Sequence, residues 1–121
     1  MISLDHVQVA LPAGGEDVAR VFYGDLLGLE EIEKPALLAV RGGVWFSVGA
    51  HELHLGVEEG FRPAGKAHPA FRLGDGTALH ALAASLADAG SPVTWADPAE
   101  IPGCERFHVA DPFGNRLEFL A

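Results

Sequence analysis

The chain has 121 residues, 49% of them hydrophobic and 21% charged, which is the composition of a single globular domain. Its eight basic and seventeen acidic residues give a formal net charge of −9, which repels nucleic-acid phosphates and anionic membrane surfaces. No apolar run approaches the roughly 20 residues of a membrane-spanning helix, and residues 1–12 do not resemble a secretory signal. We therefore expect a cytoplasmic protein with no nucleic-acid or membrane partner. The single cysteine, Cys104, excludes an internal disulfide and a CxxC motif.

The first half of the sequence predicts a strand, a helix and then several short strands. Residues 4–11 alternate between polar and apolar side chains, as a strand does, and a turn follows at 12–15. From Glu16, apolar residues recur at three- and four-residue steps, which predicts an amphipathic helix that ends at Gly28. The strands predicted after it are residues 29–33, 37–41, 44–48 and 52–57.

The second half repeats this order after a connection at 58–67, which is rich in glycine, proline and charge. Residues 68–73 predict a strand, and residues 77–89 predict a helix with Thr77 as its N-cap and Gly90 as its end. The last predicted strands are 93–96, 106–110 and 116–120, and the turn sequence DPFGN separates the final two. We therefore expect one domain of two modules, residues 1–57 and 68–121.

The apparent duplication places polar residues at matching positions in the two halves. His6 and His68 lie near the starts of the two first strands, and Glu52 and Glu118 lie on the two last strands. Two such units can pair their sheets around a common cleft, because neither covers its sheet alone. Two imidazoles and two carboxylates gathered there form a nitrogen and oxygen ligand set that suits Zn, Ni, Mn, Co or Fe.

Each of the four residues also has a purely structural interpretation, which the sequence leaves open. His6 fits the solvent face of a half-exposed strand, and either glutamate fits a surface charge. His68 before Pro69 fits the extended conformation that precedes proline. Only their matching positions in the two halves favour a shared site.

The other histidines are interpreted from their places in the predicted elements. His54 points to the same strand face as Glu52, and three roles stay open for it: a partner that orients a ligand, a substitute ligand, or part of the substrate pocket. His51 points to the opposite face and is expected in solvent. His80 and His108 have no paired position in the other half, so we interpret both as structural.

Five stretches together resemble the vicinal oxygen chelate superfamily, which includes glyoxalase I, extradiol dioxygenases, and fosfomycin and bleomycin resistance proteins. The stretches are LDHVQVALP, VARVFYGDLLGLE, ELHLGV, HPAFRL and VADPFGNRLEFL, and they extend over almost the entire chain. The resemblance implies an α+β fold of two βαβββ modules that form a curved, half-open mixed sheet around a cleft. It also implies a homodimer, often with sites assembled from both subunits.

The resemblance assigns roles to the same four residues. His6, His68 and Glu118 match the metal ligands of the superfamily, and Glu52 matches the additional glutamate of glyoxalase I. It thus implies a small enzyme in which a divalent metal (Zn, Ni, Mn, Co or Fe) acts as a Lewis acid on vicinal oxygens of a small substrate. Glu52 or Glu118 would be the catalytic base for proton abstraction, which favours an isomerase or lyase over a dioxygenase.

The alternative is a metal-free protein that binds a small molecule or an antibiotic and confers resistance. The acidic composition and an aromatic wall would suit a cationic aromatic ligand, whereas the retained ligand set favours the enzyme. The wall would be drawn from Trp45, Phe46, Trp95, Phe107 and Phe113. The net charge argues against a phosphonate substrate, and the sequence does not assign a basic pocket to Arg20, Arg41, Lys66 or Arg72.

Overall fold

The computed structural model describes residues 1–121, which form two compact units, Met1–Pro63 and Ala64–Ala121. Each unit contains one open four-stranded mixed sheet with helices beside it. The α+β class and the two modules predicted from the sequence are therefore confirmed. None of the helices has the length and apolar character that a membrane crossing requires.

The first module consists of four strands and two helical segments. In chain order they are β1 (His6–Leu11), α1 (Glu16–Ala19, continued by π-helical turns at Arg20–Leu26), β2 (Glu30–Ile32), α2 (Ala36–Ala39), β3 (Val44–Val48) and β4 (His51–Val57). The strand order is β1-β4-β3-β2, and only the β1–β4 pair is parallel. The largest buried side chains are Leu11, Tyr23, Phe46, Leu53 and Leu55.

The second module has the same strand arrangement. Its elements are β5 (Ala70–Arg72), α3 (Gly76–Asp88), β6 (Thr94–Trp95), β7 (Arg106–Ala110) and β8 (Arg116–Leu120). The order is β5-β8-β7-β6, and β5 lies parallel to β8. The core of this module contains Leu79, Leu86, Phe107, Leu117 and Phe119.

Strand alternation determines which side chains leave the core in each module. Because successive strand residues point to opposite faces, the buried Leu117 and Phe119 leave Glu118 on the other face of β8. In β4, Glu52 and His54 share a face for the same reason. The polar residues therefore project from the sheet face opposite their buried neighbours.

The prediction of a strand at residues 37–41 is wrong, because the chain forms the helical turn α2 there. The carbonyl of Pro35 accepts hydrogen bonds from the backbone N–H groups of Leu38 and Ala39, at 2.9 and 3.0 Å. Gly42 and Gly43 follow with φ of +74° and +86°, a conformation that glycine adopts readily and that is incompatible with a continuing strand.

The helix predicted from Glu16 begins there, but it does not stay α-helical. From Arg20 it is wound as a π-helix, in which the N–H of Leu27 donates to the carbonyl of Phe22 at 2.9 Å. Among the apolar residues that recur along this helix, Phe22 and Tyr23 are buried, whereas Val18 and Val21 are exposed. The helix therefore buries only part of the apolar face that its three- and four-residue spacing predicts.

Helix α3 has a different N-cap from the one predicted. The carboxylate of Asp75 accepts a hydrogen bond from the backbone N–H of Ala78 at 2.8 Å, so Asp75 rather than Thr77 caps the helix. At the other end, Gly90 has φ of +88°, the left-handed conformation typical of the residue that terminates a helix.

Candidate metal centre

Three side chains of the second module bring their ligand atoms together. Glu118 lies on β8, His108 is its cross-strand partner on β7, and His68 comes just before β5. The Nε2 atom of His68 is 2.9 Å from Glu118 Oε2, and the Nε2 atom of His108 is 3.7 Å from the same oxygen. The three ligand atoms all lie within 4.8 Å of one another.

The 2.9 and 3.7 Å separations are close to those between neighbouring ligands of one divalent ion. With metal–ligand bonds of about 2.1 Å, neighbouring ligand atoms are separated by roughly 3.0–3.4 Å in octahedral or tetrahedral geometry. The three side chains are between 12% and 23% exposed, so an ion here would be reached from solvent yet partly desolvated. Two imidazoles with one carboxylate are a ligand set that Zn, Fe(II), Mn, Ni and Co accept.

Backbone contacts fix the position of His68. Its Nδ1 atom is 2.7 Å from the carbonyl oxygen of Lys66, and because a carbonyl only accepts, Nδ1 carries a proton and Nε2 faces Glu118. Pro69 cannot donate to the sheet, but its carbonyl accepts from the N–H of Glu118 at 3.1 Å. The strand β5 therefore starts at Ala70, two residues later than predicted, with His68 still held beside β8.

Arg106 binds the second oxygen of Glu118. Its Nη1 donates to Glu118 Oε1 at 2.8 Å, and its Nη2 donates to Glu100. Burial by itself would raise the pKa of Glu118, but the hydrogen bonds from Arg106 and His68 outweigh it and hold that pKa below its ordinary value. Glu118 is therefore an ionised carboxylate with Oε1 directed at Arg106 and Oε2 at the histidines.

His108 is in the protonation state that a metal ligand requires. Burial lowers the pKa of His108 below its ordinary value, and the positive charge of Arg116 adds to this effect. Since the ordinary value is 6.5, His108 is largely neutral at pH 7. Neutral imidazole offers a nitrogen lone pair to a metal, whereas imidazolium does not.

In the first module, His6 and Glu52 are register partners across the parallel β1–β4 pair. Glu52 Oε1 lies 2.9 Å from Nε2 of His54, which is only 4% exposed. The rings of Trp45, His54 and His6 form a stack, with centroid distances of 3.7 Å for the first pair and 4.1 Å for the second. The stack holds the His54 ring in place, and its contact with Oε1 orients the carboxylate of Glu52.

The two His/Glu pairs do not have identical registers. His6 lies beside Glu52, whereas the residue beside Glu118 is Ala70, so His68 lies two positions before the equivalent of His6. A shift of two residues keeps the same strand face. In the first module the predicted histidine lies on the strand that pairs with its glutamate's strand, and in the second module it lies just before that strand, so the matching of the halves is approximate.

The sequence interpretation did not include His108 in the site, although a signal for it was present. A hairpin that turns at DPFGN pairs residues equidistant from the turn, which places His108 opposite Glu118. His80, also interpreted as structural, is exposed, contacts Glu105 at 3.0 Å and stacks on Trp95. His51 is exposed, as expected.

A cavity of about 420 Å³ in the first module is lined by His6, Trp45 and His54, among other residues. Of the aromatic residues that the sequence proposed as a wall, Trp45 lines this cavity. Phe46 and Phe107 are fully buried in the cores, so they cannot form the wall of an open pocket.

Solved structures similar to this chain were found over nearly its full length. A glyoxalase family protein from Bacillus anthracis is 48% identical, with a TM-score of 0.90, over 99% of this chain and 94% of that one. A lactoylglutathione lyase from Agrobacterium tumefaciens is 21% identical, with a TM-score of 0.74, over 98% of this chain and 92% of that one. The fosfomycin resistance protein FosX from Listeria monocytogenes is 14% identical, with a TM-score of 0.79, over 100% and 94%. No protein-family model and no curated protein matches the chain.

Proposed function

Since this chain belongs to the glyoxalase family of the vicinal oxygen chelate superfamily, we propose that it is a small divalent-metal-dependent enzyme acting on a small molecule. The cluster of His68, His108 and Glu118 in the second module is the observation that carries this proposal. When bound, the ion supplies a Lewis acid that stabilises negative charge on vicinal oxygens of the substrate. An isomerase or lyase reaction fits this chemistry.

The proposed ligands are His6 and Glu52 from the first module and His68 and Glu118 from the second. His108 is a further candidate, because its Nε2 atom is 3.7 Å from the glutamate oxygen that faces His68. Glu118 directs one oxygen at Arg106, so its other oxygen is the one available to a metal. The ligand set predicted from the sequence includes His6, whereas the cluster seen in the second module includes His108. Single-residue variants of these two histidines distinguish the two sets.

Glu52 is better suited than Glu118 to act as the base in this proposal. Glu118 is bound by Arg106 and His68 and has a lowered pKa, so it is a weak proton acceptor. Glu52 has no arginine or lysine partner, and its side chain is 39% exposed. Its Oε1 is oriented by His54, which leaves Oε2 for a substrate proton.

Metal analysis of protein purified without chelator tests the proposal. We expect stoichiometric divalent metal in the native chain and its loss in His68→Ala and Glu118→Gln. The matched control is His80→Ala, because His80 also contacts a glutamate but lies outside the cluster. His6→Ala and His108→Ala then identify the remaining ligand. A native protein that holds no Zn, Ni, Mn, Co or Fe, even after incubation with each ion, would refute the enzyme proposal.

We further propose a homodimer, with each metal bound by one chain or by both. Sedimentation equilibrium should give twice the 12.7 kDa mass of the chain. Refolding a mixture of His6→Ala and His68→Ala variants then distinguishes the two arrangements. If each site takes one module from each subunit, mixed dimers regain one intact site and bind metal. If each site lies within one chain and includes both His6 and His68, the mixture stays metal-free. The experiment applies where His6→Ala alone has lost its metal.

The alternative proposal is a binding protein that sequesters its ligand without changing it, and the cavity beside Trp45 favours this version. It predicts tight ligand binding to protein treated with chelator, followed by recovery of the unchanged ligand. The enzyme proposal predicts that turnover appears only after metal is added. Mass spectrometry of the ligand after incubation with each form therefore decides between the two.

A further inference from the structure

We propose that Arg106 is a positioning residue that keeps Glu118 a one-oxygen ligand and thereby makes the metal centre favour Co(II), Ni or Zn over Mn(II). The inference rests on the proposed function, because it concerns the ion that Glu118 would bind. The observation behind it is a separate one: a single, mostly buried guanidinium joins Glu118 to Glu100.

The register of the β7–β8 hairpin brings Arg106 to Glu118. His108 is the direct cross-strand partner of Glu118, and Arg106 lies two residues earlier on β7, so all three side chains share one face of the sheet. Diagonal neighbours on one face are roughly 7–8 Å apart, a gap that a long side chain spans. Arg106 Nη1 donates to Glu118 Oε1 at 2.8 Å, and the two side chains are only 15% and 12% exposed.

A second guanidinium nitrogen is anchored outside the cluster. Arg106 Nη2 donates to Glu100, which lies in the connection between β6 and β7 and is more exposed. A guanidinium is planar and holds its donors in a fixed fork, so two anchored nitrogens define the orientation of the whole group. Arg106 therefore forms a brace between this connection and Glu118.

The third guanidinium nitrogen is an exception to the rule that buried donors are paired. Arg106 Nε is buried and has no hydrogen-bond partner. A buried unpaired donor lowers stability, so an arginine selected for stability alone would not leave one. Departures from such rules are expected where a residue serves function. The unpaired Nε thus supports a role for Arg106 that lies in its effect on Glu118.

The brace leaves one oxygen of Glu118 for an ion. Oε1 is bound by Arg106, whereas Oε2 lies 2.9 Å from His68 Nε2 and 3.7 Å from His108 Nε2. Large oxygen-seeking ions accept a carboxylate through both of its oxygens. Carboxylate ligands suit Mn(II), whereas imidazole ligands suit Zn and Ni. Withholding one carboxylate oxygen from the centre therefore shifts its preference away from Mn(II).

Competition of Co(II) and of Mn(II) with a chromogenic chelator tests the brace. The quantity compared is the ratio of the two affinities, because loss of the Arg106 charge alone changes both affinities in the same direction. Arg106→Gln should lower the preference for Co(II) about tenfold, the scale on which residues that orient metal ligands act. Arg106→Lys keeps the charge but not the fork, so it should lower the preference by a smaller factor. If Arg106→Gln does not fold, Arg106→Lys is the variant that decides.

Arg20→Gln is the matched control. Arg20 also joins two carboxylates, with Nη1 2.8 Å from Asp17 and Nε 2.9 Å from Glu31, but neither partner is a proposed ligand. This variant should leave the affinity ratio unchanged. A second readout is the visible absorption of bound Co(II), which weakens as the coordination number rises. The absorption should weaken in Arg106→Gln and stay unchanged in Arg20→Gln.

Two results would overturn this proposal alone. One is a Co(II)-to-Mn(II) affinity ratio that is unchanged in both Arg106 variants, and the other is a ratio that falls as far in Arg20→Gln as in Arg106→Gln. Native protein that takes up none of the five candidate ions would refute the metal proposal, and this one with it. Metal uptake by the native chain therefore distinguishes the two failures.

Discussion

Replacement of Asp111 by alanine should destabilise the second module strongly. Asp111 lies in the turn between β7 and β8 and is 5% exposed. Its Oδ1 accepts hydrogen bonds from the backbone N–H groups of Phe113 and Asn115, at 2.9 and 2.8 Å. Its Oδ2 accepts from the side-chain amide of Asn115 at 2.9 Å. The carboxylate therefore holds the turn that sets the register of His108 against Glu118.

The expected loss follows from the two buried donors of Asn115, which is 6% exposed. Removing the acceptor of a buried donor costs about 1–3 kcal/mol, so Asp111→Ala should lower the free energy of unfolding by roughly 3 kcal/mol. In a chain of this size that loss corresponds to a fall in Tm of about 10 °C. The N–H of Phe113 is half-buried, so water can replace part of its bond.

Urea denaturation followed by circular dichroism measures this loss. Asp97→Ala is the matched control, because the Asp97 carboxylate also accepts a backbone hydrogen bond, from Ala99 at 2.9 Å, but is exposed. That variant should change stability by less than about 0.5 kcal/mol. Equal losses in the two variants would show that burial of the turn carboxylate does not matter, and the reasoning would fail.

Three further stability predictions follow from single contacts. Asp75→Ala should cost about 1 kcal/mol by removing a helix N-cap, whereas Thr77→Ala should cost little, and equal losses would argue against this cap assignment. A hydrogen bond from the backbone N–H of Gly43 lowers the pKa of Glu16. The ionised carboxylate therefore stabilises the fold fully above pH 4.5, the ordinary pKa, and this stabilisation is lost as the pH falls through the lowered pKa. The stability difference between the native chain and Glu16→Gln, about 0.5 kcal/mol, should therefore be present at pH 7 and vanish in acid, and a difference that grows in acid would contradict it. Gly43→Ala should cost more than about 3 kcal/mol or prevent folding, since the φ of Gly43 is +86° and a Cβ there would lie 2.3 Å from a carbonyl oxygen. Gly65→Ala is the control and should be tolerated, because there is open space around Gly65. A small loss of stability in Gly43→Ala would show that the loop can move.

The sequence predicted those elements whose pattern is local. Residues 44–48, 106–110 and 116–120 were predicted as strands and are β3, β7 and β8. Each alternates buried apolar residues with more exposed ones, and glycine-containing turns follow β3 and β7. Residues 37–41 were also predicted as a strand, but they include the helical turn α2. Leu37 and Val40 are apolar yet exposed, so hydrophobicity there does not indicate burial in a sheet.

The candidate site was predictable in its pairs but not in its details. His68 and Glu118, which the sequence analysis expected in one site, contact each other at 2.9 Å. Arg106 and His108 depend on the hairpin register of β7 and β8, which one residue of slippage would move to the other face. Lys34 and Arg41 line the cavity beside Trp45, and the two glycines that follow Arg41 have left-handed backbone angles, a local geometry that hydrophobic periodicity does not predict.

The parallel pairing of β1 with β4 and of β5 with β8 has a consequence for synthesis on the ribosome. In each module the first strand to leave the exit tunnel pairs with the last, roughly 50 residues later in the chain. A nascent first strand therefore stays unpaired until its whole module has emerged, because the entropy cost of closing so long a loop is offset only when the final strand pairs with it. At translation rates of about 5–20 residues per second this interval lasts several seconds, during which an apolar strand edge is open to other chains.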